Sequence, residues 1–162
     1  MHLFLKVRVL LFPCILISLT KAADEPKFKC PENSPYFYPC TCEGGGENGI
    51  FIKCQNTNIA SIALGLSNVR LPIQQLHLYR CNMKRLYGQV FSAVPVHDLL
   101  IEDTPITTIE KGVLEPLAQV LKALRIIRAN LDPGLPYEAI KELKKLEVRY
   151  FNQFNTLVRE II

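Results

Sequence analysis

The chain has 162 residues, 49% of them hydrophobic, with 19 basic residues against 15 acidic ones and a formal net charge of +4. That length fits one domain. Lys6, Arg8 and Lys21 lie in what reads as a leader. Without them 16 basic residues face 15 acidic ones, about +1, and no basic block remains for nucleic acid or an acidic membrane surface.

The leader is residues 1–22. Lys6 and Arg8 form a positive start, VLLFPCILISL is an apolar run, and Thr20-Lys21-Ala22 offers small residues for cleavage after Ala22. A membrane-spanning helix is the rival reading, but the run is short of the roughly 20 apolar residues required and Pro13 interrupts it. VLKALRII, further on, is broken by Lys122 and Arg125. We therefore expect a secreted, extracellular protein with no membrane span. Five of its six cysteines survive cleavage, an odd number, so one is either an intermolecular bridge or a free thiol.

Residues 23–54 form a cysteine-rich N-terminal segment with the spacing C-x9-C-x-C-x11-C at Cys30, Cys40, Cys42 and Cys54. Four cysteines allow three disulfide connectivities, and spacing alone does not choose among them. A zinc site is the rival. Cys40-x-Cys42 lacks the two-residue spacing of zinc ribbons, and export argues against free thiolates, so no metal and no cofactor is expected. GGGENG (residues 44–49) has no Lys-Ser/Thr after it and reads as a loop of this segment, not a phosphate cradle.

From residue 52 onward the apolar residues recur with a long period. Ile52-x-Cys54-x-x-Thr57-x-Ile59 is the first copy and Leu76-x-Leu78-x-x-Cys81-x-Met83 the second. Leu99-x-Ile101-x-x-Thr104-x-Ile106 and Leu124-x-Ile126-x-x-Ala129-x-Leu131 follow. Leu146-x-Val148 begins a fifth that degrades, because Phe151 stands in the small-residue slot. The steps between anchors are 24, 23, 25 and 22 residues, the leucine-rich-repeat period. This predicts an α/β fold: a short right-handed solenoid of about five repeats over 52–162, with a parallel inner sheet and a helical or irregular convex side. KGVLEPLAQV and YEAIKELKKL have helical spacing and belong to that outer side. Pro72 and Pro95 can open inner strands without removing a ladder bond. Cys81 falls in the slot where such repeats carry Asn or Cys, which predicts a buried, free thiol used as a small filler.

The cysteine segment before the repeats resembles the N-terminal cap of extracellular leucine-rich-repeat proteins. That resemblance implies the pairs Cys30–Cys42 and Cys40–Cys54, each worth roughly 2–4 kcal/mol. The Pro39-Cys40-Thr41-Cys42 tetrad also resembles small secreted arthropod leucine-rich proteins, a group that includes the non-catalytic subunit of a shrimp luciferase. It implies no catalytic residues. The chain departs from the wider pattern in having no C-terminal cysteine cap. Either the sequence is truncated, or Phe151, Phe154 and Leu157 form an apolar end that a second copy or a different chain covers.

No nucleophile–base pair, HExxH or Walker motif occurs, and no enzymatic activity is expected. Strand alternation puts Lys53, Gln75, His77, Tyr79, Asp98, Glu102, Arg125 and Arg149 on the concave face. Tyr and Arg are favoured at binding hot spots, and the mixture of signs suits a protein or peptide partner better than a polyanion. We expect a secreted binding module that uses this face. The alternative is a non-catalytic accessory subunit of an extracellular enzyme or structural complex, assembled through the uncapped C-terminal end.

Overall fold

The computed structural model describes residues 25–32, 37–132, 136–153 and 156–161, with only the backbone from residue 152 on. The leader, residues 1–22, and Phe154 lie outside them. The fold is mixed α/β and is built on one seven-stranded, mostly parallel sheet that stays open.

The sheet begins with an antiparallel hairpin, β1 (Cys40–Gly45) and β2 (Ile50–Gln55), in which Cys40 lies directly opposite Cys54. Its turn needs glycine: Gly49 has φ +146°, and a Cβ there would lie 2.2 Å from the Pro72 carbonyl oxygen. Disulfides join Cys40 to Cys54 and Cys30 to Cys42, tying the preceding segment to the hairpin. All four thiols are thereby consumed, and none is left to ligate a metal.

From β2 the chain runs into α1 (Ile59–Ser67), whose N-cap Asn58 accepts the Ser61 N–H at 3.0 Å. It then returns as β3 (Ile73–Tyr79), parallel to β2. β5 (Val96–Glu102) and β7 (Ala123–Ala129) add in the same sense. Ile52, Leu76, Leu99 and Leu124 stand side by side, as do Cys54, Leu78, Ile101 and Ile126. All eight are buried in one core. Pro72 and Pro95 sit just before β3 and β5, and their carbonyls accept the Ile50 and Ile73 N–H groups. Prolines there supply the acceptor without being asked for a donor.

The parallel strands β2, β3, β5 and β7 share one kind of turn at their C-terminal ends. Asn56, Arg80, Asp103 and Arg128 adopt left-handed backbone, φ 50–53°. The N–H groups of the first three reach the neighbouring strand at Tyr79, Glu102 and Ile127. The next residue is small and buried: Thr57, Cys81, Thr104 or Ala129. Thr104 Oγ1 accepts the Cys81 N–H at 3.1 Å and donates to the Glu102 carbonyl, so the slot satisfies its own backbone.

The connections carry less helix than their spacing suggests. A second sheet pairs β4 (Arg85–Leu86) with β6 (Thr108–Ile109). In KGVLEPLAQV only a 3-10 turn, Glu115–Leu117, forms; Pro116 cannot donate to a helix ladder. YEAIKELKKL yields the single turn α2 (Tyr137–Ile140).

The fifth strand departs from the expected alignment. β8 (Val148–Gln153) pairs with β7 so that Leu124 faces Arg149, not Leu146, and Ile126 faces Phe151, not Val148. The slip is three residues. An odd slip turns every side chain to the opposite face. Phe151 is thereby 3% exposed, and Val148 is turned outward at 39%. Burying a phenylalanine in place of a valine is the favourable exchange. The chain then reverses into β9 (Thr156–Ile161), antiparallel to β8. Among the described residues no helix is long and apolar enough to cross a membrane.

Candidate functional site

The face of the sheet turned away from the core carries rows of half-buried side chains. One row is Lys53, His77, Leu100, Arg125 and Tyr150; another is Gln55, Tyr79, Glu102 and Ile127; a third is Phe51, Gln75, Asp98, Ala123 and Val148. Two hydrogen-bonded groups stand on it.

The first centres on Asp98. Gln75 Nε2 donates to its Oδ2 at 3.1 Å and Arg125 Nη2 donates to the same oxygen at 2.7 Å. Its other oxygen is buried and has no partner among the described residues.

The second group lies at the C-terminal ends of the strands. His77 Nε2 is 2.9 Å from Glu102 Oε2. Arg128 donates from Nη2 to Glu102 Oε1 at 2.5 Å and from Nε to Asp103 Oδ1. Arg80 Nε approaches the other oxygen of Asp103 at 3.6 Å. The hydrogen bond from Arg128, with its charge and that of Arg80, holds the Asp103 carboxyl below the usual carboxylate range. Its bonds to Asp103 and then Glu102 push the Arg128 guanidinium above its ordinary value.

Tyr79 is the aromatic centre of this group. Lys53 Nζ lies 5.1 Å and the Arg80 guanidinium 4.9 Å from its ring centroid, and the His77 ring is 5.5 Å away. Both cations are within the range of cation–π attraction.

The expected set is therefore divided by the structure. Lys53, Gln75, His77, Tyr79, Asp98, Glu102 and Arg125 share the open face. Arg149 does not: the slip of β8 sets it on the Phe151 side, with Nε buried and unpartnered among the described residues. Phe151 is buried in the core and so presents no end-on surface, and Leu157 lies in β9 opposite Asn152. Cys81 is free and 1% exposed; burial pushes its thiol above the ordinary range, against backbone hydrogen bonds that lower it.

Strand alternation missed Arg80, Asp103 and Arg128. Parity assigns residue 80 to the core beside Leu76 and Leu78. The left-handed turn breaks parity, sends Cys81 inward and leaves Arg80 outside. The usable signal was the slot itself: the residue before each small one is where the chain must turn.

Among the described residues, no group of three or more His, Cys, Asp or Glu is arranged to hold a metal ion. Comparison with protein-family models, curated proteins and solved structures gives no match for this chain.

Proposed function

We propose that the chain is a secreted leucine-rich-repeat solenoid, capped at its N-terminal end by two disulfides, that binds a protein or peptide partner through the open sheet face and catalyses nothing itself. The observation that carries this reading is the Lys53–Tyr79–Arg80 arrangement at the strand ends. An aromatic ring with two cations close to it, on a sheet face, is the type of anchor on which binding energy concentrates. The repeat reading is supported by the equivalent positions of four strands and by the left-handed turn each repeats. Export is supported by the leader-like residues 1–22 and by the cystines, which persist in oxidising compartments.

The test is photo-crosslinking in native extracellular fluid, with a photoreactive residue in place of His77 or, on the far side, of the exposed Leu64 on α1. Adducts from position 77 and none from position 64 are expected. The opposite pattern would remove the open face from consideration.

A further inference from the structure

We infer that the segment bound by the open face is acidic: an extended stretch of a protein presenting several carboxylates. This rests on the open-face reading above and adds the chemistry of the partner.

The charges around the three arginines are layered by depth, whereas Lys53 and its partner Glu43 run the other way, 27% and 52% exposed. The side chains of Asp98, Glu102 and Asp103 are 17%, 23% and 21% exposed. The guanidinium-bearing side chains they hold, Arg125, Arg128 and Arg80, are 36%, 42% and 61% exposed. Around the arginines, acids form the floor and guanidinium groups the surface a partner meets first. Nor are these donors used up. Arg125 bonds Asp98 through Nη2, Arg128 uses Nε and Nη2, and Arg80 reaches Asp103 only through Nε. The Nη1 of each has no partner among the described residues. A guanidinium already fixed from below loses little side-chain freedom on binding, and its remaining N–H groups match carboxylate oxygens.

The backbone adds an independent argument. Asn and Asp enter left-handed backbone at the least cost among residues with side chains, and they fill two of the four turn positions, Asn56 and Asp103. The other two carry Arg80 and Arg128. Both arginines pair with the acids of the strand ends, Arg128 with Glu102 and Asp103 and Arg80 with Asp103, so these strained positions place guanidinium groups on the open face, where strain goes with use of the side chain.

A discrete acidic peptide fits better than a uniform polyanion. Lys53, Arg80, Arg125 and Arg128 are matched in number by Glu43, Asp98, Glu102 and Asp103, so the face has no long-range field to draw in a sulfated glycan. Separate carboxylates on a flexible chain can settle between the floor acids.

The experiment is fluorescence anisotropy of the secreted protein at low ionic strength. Three labelled decapeptides share one Gly/Ser frame and carry four Glu, four Gln or four Lys; a heparin octasaccharide is the fourth probe. The Glu peptide should bind at least about tenfold tighter than the Gln peptide. The Arg80→Gln/Arg128→Gln variant should lose about that factor while retaining the parent's circular dichroism. If the double change unfolds the protein, Arg80→Gln alone, at the most exposed of the three, should still weaken Glu-peptide binding severalfold. Equal binding of the Glu and Gln peptides, or tighter binding of heparin than of the Glu peptide, overturns the inference. A preference for the Gln or Lys peptide that Tyr79→Ala abolishes overturns it while leaving the open-face reading in place. No response of any peptide to Tyr79→Ala or to the arginine changes removes both.

Discussion

Strands β3, β5 and β7 differ from β8 in one respect that explains the others. β3 and β5 are each followed by a left-handed residue and then a small one, Cys81 or Thr104, and β7 ends on the same kind of pair, Arg128 and Ala129, so the chain can turn beneath itself. At the equivalent place after Leu146 stands Phe151, too large for the slot. The strand instead moves along by three residues, buries the phenylalanine opposite Ile126 and runs on into a hairpin with β9. Arg149 is drawn to the core side, with an Nε that is buried and without a partner among the described residues. A single small residue per copy thus sets the register; the aliphatic anchors alone do not.

Breaking the fifth strand at its anchor should have the largest effect. Phe151→Ala is expected to cost about 3–5 kcal/mol in urea-induced unfolding, the range for truncating a buried phenylalanine. In the regular region, Thr104→Val keeps the shape of the slot but removes the acceptor of the Cys81 N–H. Leaving that buried donor unpaired should cost about 1–3 kcal/mol by the same measurement.

Arg149→Met replaces a half-buried arginine whose Nε has no partner among the described residues, and we expect it to be neutral or to stabilise by about 1 kcal/mol. A clear loss would show that Arg149 has a role on its face. Val148→Lys sharpens the contrast at the lower end. At an outward position it should shift stability by less than about 0.5 kcal/mol.

Acid separates the strand-end network from the core. Asp103 has its pKa lowered in the folded protein, so its contribution to stability is present in full above the ordinary carboxylate value of about 3.9. It is lost as pH falls from there through the lowered value. An acid titration of Tm should therefore lose this component in Asp103→Asn and keep it in Val148→Lys.

The alignment of Ile52, Leu76, Leu99 and Leu124 could be read from spacing, because inward aliphatic positions recur wherever neighbouring copies must share a core. Lys53, His77 and Tyr79 were readable for the same reason, since strand alternation holds within a regular strand. The failures came where alternation stops applying. Arg80, Asp103 and Arg128 themselves occupy the left-handed turn that resets parity. Arg149 was misplaced because the size of Phe151 outweighed the periodic pattern. The helical spacing of residues 111–120 and 137–146 gave only short turns; in the first of these the connection must also supply β6 and contains Pro116. Pattern reports which residues want burial; the dihedral at the end of a strand and the volume of one side chain decide where the next residue points.

The free thiol of Cys81 gives the fold a built-in clock. It lies midway along the first four copies, donates toward the Cys54 carbonyl at 3.4 Å, and is shielded from reagent while its neighbours stay in place. A thiol reagent can reach it only when the packing at the seam between β2 and β3 opens. The labelling rate therefore measures how often neighbouring copies separate, without any engineered probe. Because the cystines pin only the first hairpin, slow labelling would mean that the seam opens with the whole molecule, and fast labelling that copies peel away individually from the unpinned end.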